Sequence, residues 1–139
     1  YSLEQVSIAT KECFVRSFKE QLPVFFQSGA IVPYSRIRQQ RYTEASFAFL
    51  PIDIMSNIDG TMELPEGQCV CTYHTGDYYS IGCSYERLLA YCSDNKLDII
   101  SDSFEFAVND YLSTKDENEY ITKIMFYVKK SSGDQSNPN

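Results

Sequence analysis

The sequence predicts an α+β fold: two pseudo-symmetric strand-helix-strand-strand modules forming an antiparallel-rich sheet with a central ligand cleft. Three observations lead there. The second half of the chain reads strand, helix, strand, strand in order. The run Leu97–Val108 alternates with the period of a half-buried strand and carries a glutamate, Glu105, in its middle. Aromatic residues make up 14% of the chain, 11 Tyr and 9 Phe with no Trp, a load suited to a ligand-lined cavity or a small β-rich core.

The 139 residues fit one domain with a real core. We expect an effector-sized domain over 1–130, with modules at about 5–55 and 62–130 and a disordered Ser/Gly/Asn/Pro-rich tail at 131–139. Gln5–Phe18 has a broken strand-like pattern, and Pro23 argues against a long helix in Lys19–Gln27. Ser28-Gly29 signals a turn. Ile31–Ile37 reads as a strand, with Pro33 marking an edge or a bulge. Ala45–Ile54 alternates cleanly, Ala48, Leu50, Ile52 and Ile54 against Phe47 and Phe49, and a loop follows at Ser56–Gly60. The helix of the first module is not evident from its pattern.

Gln68–His74 is a strand with Val70 and Thr72 opposite Cys69, Cys71 and Tyr73. Tyr78–Asp94 is an amphipathic helix, because Ile81, Tyr85, Leu88, Leu89 and Cys92 recur at 3.6-residue spacing. Asp77 suits its N-cap, and Asn95 suits a left-handed C-terminal stop. After the Leu97–Val108 strand and a polar connection at Asn109–Asn118, Glu119–Lys129 is the last strand, with Ile124, Phe126 and Val128 on one side.

Within Leu97–Val108, Phe104 and Phe106 are expected to enter the core, leaving Glu105 on the other face between Ser103 and Ala107. Those small neighbours would leave open space above the carboxylate. Glu is depleted in strands and costly to bury unpaired. From the pattern alone a solvated strand face is the simpler reading. The functional alternative is a carboxylate at the floor of an apolar site, waiting for a cation.

The net charge of −7, from 12 Lys+Arg and 19 Asp+Glu, argues against this chain gripping a phosphate backbone by itself and is compatible with attracting cations. Arg36, Arg38 and Arg41 form a local basic segment best read as solvated. The five cysteines include no CxxC, and His74 is the only histidine, so no metal site and no cofactor are expected. Cys69, Cys71, Cys83 and Cys92 are assigned to the core. Reduced thiols, with neither a signal peptide nor an apolar run near 18 residues, point to a cytoplasmic protein that does not enter a membrane. The chain opens on Tyr1 rather than Met, as a piece of a longer protein would.

Several of these stretches carry a family resemblance. Met62-Glu-Leu-Pro-Glu-Gly-Gln-Cys, Tyr73-His-Thr-Gly-Asp-Tyr-Tyr, Tyr85-Glu-Arg-Leu-Leu, Ile99-Ile-Ser-Asp-Ser-Phe-Glu-Phe, Asn109-Asp-Tyr-Leu and Glu119-Tyr-Ile-Thr resemble the effector-binding domains of the gyrase-inhibitor-like superfamily. The nearest sub-group is the C-terminal multidrug-binding domain of MerR-type transcriptional activators. The resemblance covers residues 62–129 and rests in the first half on Ser28-Gly-Ala and Phe47–Ile54. It implies a ligand-sensing domain of a transcriptional regulator that takes lipophilic cationic small molecules into an aromatic pocket with a buried glutamate. Glu105 falls on that glutamate and Tyr120 on a ligand-stacking tyrosine. Tyr78 or Tyr79 stands at the helical-loop tyrosine, and Tyr34, Phe47 and Phe49 are the first-half aromatics expected to line the pocket. Ser28 occupies a position where the family has a pocket aromatic. By parity, Tyr120 sits with Ile124 and Phe126, so its reaching Glu105 would need a bulge near Asn109–Leu112.

The resemblance also implies DNA binding only through a domain before residue 1, and a homodimer in the full-length protein. No enzyme activity is expected. The alternatives are a stand-alone protein-interaction module of the gyrase-inhibitor type, a small hydrolase using Glu105 as general base, and a haem-binding relative of the same fold.

Overall fold

β6, Ile121–Lys130, is the longest of the described strands. Its sequence alternates Ile124, Phe126 and Val128 with Lys123, Met125 and Tyr127, and the first set is buried. A computed structural model describes residues 28–49, 64, 67–109 and 114–131 of the chain. The readings made for Gln5–Phe18, Lys19–Gln27, residues 50–54, Ser56–Gly60 and the tail beyond residue 131 lie outside the described residues.

The described strands form one six-stranded sheet in the order β2-β1-β5-β6-β3, with β4 also paired to β6, and the pairings are antiparallel. β1 is Gly29–Val32, β2 Phe47–Phe49, β3 Cys69–Thr75, β4 Leu97–Ile99 and β5 Ser103–Asn109. Among the described residues two α-helices accompany the sheet: α1 at Tyr34–Arg38 and α2 at Gly82–Asp94. The α+β class with an antiparallel sheet is therefore as the sequence predicts.

α2 buries the face that periodicity assigns to it: Ile81, Tyr85, Leu88 and Cys92, with Leu89 packed alongside. These residues share one buried cluster with Ile124, Phe126 and Val128 of β6 and with Ala30 and Val32 of β1, and Tyr85 meets Phe126 directly. Burial of this apolar face is the main stabilising term, at roughly 25 cal/mol per Å² removed from water.

The differences from the sequence reading are local. The expected strand Ile31–Ile37 stops at Val32, and Tyr34 starts a helix. β1 lies between β2 and β5, where a Pro would break a ladder, so Pro33 ends the strand. Its carbonyl instead accepts from Arg36 N at 3.0 Å and Ile37 N at 3.2 Å. Asp77 does cap a helical turn, its Oδ1 accepting from Ser80 N at 2.9 Å, but that turn is a short 3-10 segment, Tyr78–Ser80, ahead of α2. At the other end Asn95 has φ −100° and Lys96 takes the left-handed conformation at φ 54°, one residue later than expected. Asn95 contributes through its side chain, which donates to Tyr91 O at 2.9 Å.

The expected strand Leu97–Val108 is interrupted at 100–102. Pairing passes from Ile99↔Val128 to Phe104↔Met125, five residues on one strand against three on the other. Two extra residues keep the pleat in phase, so Ile99, Ser103 and Glu105 share a face as the alternation predicts. The interruption is filled by hydrogen bonds: Ile100 N to Tyr127 O at 2.9 Å, and Tyr127 N to Ser101 Oγ at 2.9 Å.

The core, however, lies on the Glu105 face. Glu105 pairs with Ile124 of β6 and Ala30 of β1, both buried in the same cluster as the apolar face of α2. Phe106 is only half-buried on the opposite face, edge-on to Phe49 with ring centroids 5.4 Å apart, although Phe104 beside it is buried. The assignment of Phe104 and Phe106 to the core face is thereby corrected: a helix-covered β6 fixes which side is inside. The cysteine assignment is corrected too. Cys92 is buried, whereas Cys69, Cys71 and Cys83 are exposed.

Candidate functional site

β5 delivers Glu105 into the layer between sheet and helix. Its cross-strand neighbours Ala30 and Ile124 carry no polar side-chain atom, and Ala48 lies one strand further along the same row. Small alanines leave room beside the carboxylate, and that room is occupied. The space expected above Glu105 holds two phenols. Tyr78, from the 3-10 turn, donates to Oε1, and Tyr85, from the first turn of α2, donates to Oε2. Because Tyr85 spends its one hydrogen on the carboxylate, Ser103 donates to the Tyr85 oxygen, at 2.7 Å. Ser103 is fully buried on the same face of β5.

Glu105 is 2% exposed. Among the described residues no Lys or Arg pairs with it. Burial raises its carboxyl to about 7, while the hydrogen bonds from Tyr78 and Tyr85 hold it down. The same burial, with the carboxylate beside them, pushes both phenols well above the ordinary tyrosine range. Near pH 7 this carboxyl is at its midpoint, and among the described residues its setting is uncharged and aromatic. A cation entering here would recover the Coulomb energy that solvent no longer supplies.

The aromatic surroundings continue outward. Tyr42 stacks on Tyr85, centroids 5.2 Å apart and planes 13° from parallel. Phe126 meets Tyr85 edge-on at 6.1 Å, and Tyr34 meets Phe126 edge-on at 6.1 Å. Gly82 permits the Tyr42 approach, since a Cβ there would lie 2.9 Å from the ring.

His74 holds the 3-10 turn in place. It is buried on β3, and its Nε2 donates to Asp77 O at 2.9 Å, which leaves Nδ1 to accept from Ser84 Oγ at 2.7 Å. Arg87 of α2 adds bonds to Thr72 Oγ1 at 3.0 Å and Tyr73 O at 3.2 Å. Strand, turn and helix are thus tied at the point where Tyr78 and Tyr85 leave the backbone.

Of the residues singled out from the sequence, Glu105 and Tyr78 come together. Tyr34 lies nearby through Phe126. Tyr79 points to solvent, 79% exposed. Phe47 and Phe49 project from the opposite face, because Ala48 between them pairs with Ala30 on the Glu105 side. Tyr120 is half-buried just ahead of β6, its carbonyl accepting from Gly76 N at 2.8 Å. Its alternation with Thr122 and Ile124 matches the Glu105 face, so the bulge required for Tyr120 on the sequence reading is unnecessary. A register shift nonetheless falls between Ala107 and Asn109. Sequence reasoning missed Tyr85, Ser103 and Tyr42 as site residues. Tyr85 was legible only as core, and the usable signal was a phenol on the buried helix face opposite a buried glutamate.

The model of the GyrI-like small molecule binding domain matches residues 28–129. The chain belongs to the GyrI-like family. No curated protein matches this GyrI-like domain in sequence. Among solved structures it is similar to the crystal structure of the EcmrR C-terminal domain, with a TM-score of 0.62 and 19% identity over 78% of this chain and 71% of that one. It is also similar to a chain in the cryo-EM structure of an EcmrR–DNA complex, with a TM-score of 0.55 and 17% identity over 91% of this chain. This chain covers 66% of that second chain, just under two thirds of its length. At these identities the likeness is one of fold. Among the described residues no helix is long and apolar enough to cross a membrane, and no group of three or more His, Cys, Asp or Glu gathers as metal ligands.

Proposed function

We propose that this GyrI-like domain is the effector-sensing part of a transcriptional regulator, and that it binds lipophilic cationic small molecules with Glu105 as their counter-charge. The observation that carries the reading is the buried carboxyl of Glu105, held by two phenols and by no described cation. A delocalised organic cation is apolar over most of its surface, so aromatic walls favour it by burial and by ring-to-cation attraction of about 0.5–2 kcal/mol. Neither contribution is selective for shape, whereas the fixed carboxylate is selective for charge. Tyr78, Tyr85 and Tyr42 supply the walls nearest Glu105, with Tyr34 and Tyr120 further out.

The regulatory half of the proposal is supported by fold likeness to the C-terminal domain of EcmrR, a protein whose structure was determined bound to DNA. On this reading, residues 1–130 are the sensing domain, DNA is contacted only through a separate domain, the full-length protein is a homodimer in the cytoplasm, and the domain does no catalysis. His74 and Ser84 suit a structural role, both being buried and bonded to each other.

The test is a fluorescence titration of the chain with a lipophilic cationic dye and with a neutral dye of similar size, repeated on Glu105→Gln. Truncating a charge partner of this kind costs on the order of 2–5 kcal/mol, so cation affinity should fall by tenfold or more while the neutral dye is unaffected. Equal cation affinity in both proteins would remove Glu105 from the site. Failure of every dye to bind would point to a protein-interaction module.

A further inference from the structure

The face of the sheet turned away from Glu105 carries three sulfur-bearing residues at neighbouring register positions. Cys69 and Cys71 project from it on β3, and both are exposed. Met125 of β6 is the direct cross-strand partner of Cys71, while Tyr127 pairs with Cys69 and Lys123 with Tyr73. β3 is the last strand in the described order, so this row lies at a sheet edge. Among the described residues the Cys69 thiol has a weak hydrogen-bond partner, the Gly67 carbonyl at 3.7 Å.

We propose that Cys69, Cys71 and Met125 form a binding site for a soft monovalent metal cation of the copper(I) or silver(I) class. Thiolate and thioether sulfurs together select such ions over harder ones. Alternate residues on a strand lie about 6.6 Å apart. That span is too wide for a relaxed disulfide, whose Cβ atoms sit about 3.8 Å apart. It suits two sulfurs bridged through one ion, with sulfur–metal bonds near the roughly 2.3 Å of thiolate sites. Directly opposed cross-strand residues have Cβ atoms about 5 Å apart, which places the flexible Met125 thioether within reach as a third donor.

The electrostatics agree with this geometry. Burial raises the Cys69 thiol, and the neighbouring Cys71 sulfur raises it further. Lys123 acts in the opposite sense on Cys69 and would offset the negative charge of a dithiolate complex. On binding, each thiol releases one proton to solvent as its sulfur–metal bond forms, and Met125 gives a lone pair without losing a proton. The thiols are in the reduced state, so the step needs no oxidant or reductant.

The probe is copper(I), supplied under anaerobic conditions from a chromophoric chelator to the full chain. The native protein is expected to take one equivalent with release of two protons. Cys69→Ser and Cys71→Ser should each weaken that equivalent a hundredfold or more. Met125→Leu, which conserves volume, should weaken it about tenfold. Cys83→Ser, on the helix side, should leave it unchanged. Retention of the equivalent in either β3 serine variant would overturn the site. A Met125→Leu protein that binds as the native one does would overturn the three-sulfur geometry, and that variant keeps its test even if a cysteine substitution prevents folding.

Discussion

Tyr85 of α2 and Glu105 of β5, twenty residues apart in the chain, share a hydrogen bond in the middle of the protein, and Tyr85 takes a second one from Ser103. The phenol is wholly buried and stacked on Tyr42. One side chain therefore links helix, sheet and the outer aromatic wall.

Tyr85→Phe keeps the ring and deletes the hydroxyl. Glu105 Oε2 loses its donor and Ser103 its acceptor. A buried polar group left unsatisfied costs about 1–3 kcal/mol, so with two groups stranded urea unfolding at pH 8 should show a loss of at least that size. The Glu105 midpoint should also move above 7, since the Tyr85 bond lowers it in the native protein. A side-chain NMR titration reads this directly, and a midpoint at or below the native one would show that the bond does not hold the carboxylate.

Stability should depend on pH through Glu105. Its carboxyl titrates at about 7 in the fold against an ordinary value of 4.5. Between those values the folded protein holds a proton that the unfolded chain has lost. The contribution of the neutral carboxyl is therefore fully present below pH 4.5 and is lost as pH rises through 7, by about 3 kcal/mol in all. Glu105→Gln stays neutral throughout. The difference in unfolding free energy between the two proteins should shift against the native chain across this window, with other carboxylates cancelling. A constant difference from pH 4.5 to 8 would mean that Glu105 titrates as an exposed group.

How far the sequence could be read follows from what each pattern measures. Periodicity reports faces. It correctly grouped Ile81, Tyr85, Leu88 and Cys92, and put Ser103 with Glu105. It does not report which face of a strand is covered, because both faces of β5 bear apolar or aromatic neighbours: Ile124 on one, Phe49 and Tyr127 on the other. The site suffered from the same ambiguity. Glu105 could be chosen because a glutamate in mid-strand between small neighbours is unusual and costly to bury unpaired, whereas Tyr85 looked like any large residue on a buried helix face. Phe47 and Phe49 were chosen as aromatics, and their register with Gly29 and Ile31 turns them to the far side.

A permanently charged cationic ligand should bind with a pH profile set by the same carboxyl. Binding favours ionised Glu105, so each complex formed below pH 7 must expel a proton. Affinity should rise about tenfold per pH unit up to about 7 and then level off. Isothermal titration in buffers of different ionisation enthalpy checks the proton count. Glu105→Gln should bind weakly with no slope. A native profile that is flat from pH 5 to 8 would place the ligand's charge away from Glu105.

His74 should control the 3-10 turn that presents Tyr78. Its Nδ1 bond with Ser84 is buried and ties β3 to the start of α2, and its Nε2–H bond to the Asp77 carbonyl is part-buried and ties β3 to the cap of the turn. His74→Ala deletes both and leaves the Ser84 hydroxyl enclosed without its acceptor, a loss of about 1–3 kcal/mol for each group stranded. The effect should be uneven. Amide exchange should quicken at Ser80 and Ser84, next to the lost ring, while β1 and its neighbour β5 keep their protection. If Tyr78 is held on Glu105 by this turn, the loosened variant should also titrate Glu105 above the native value, because one of the two hydrogen bonds that lower it is weakened. Faster exchange with an unchanged Glu105 midpoint would show that Tyr78 keeps its contact without the support of His74.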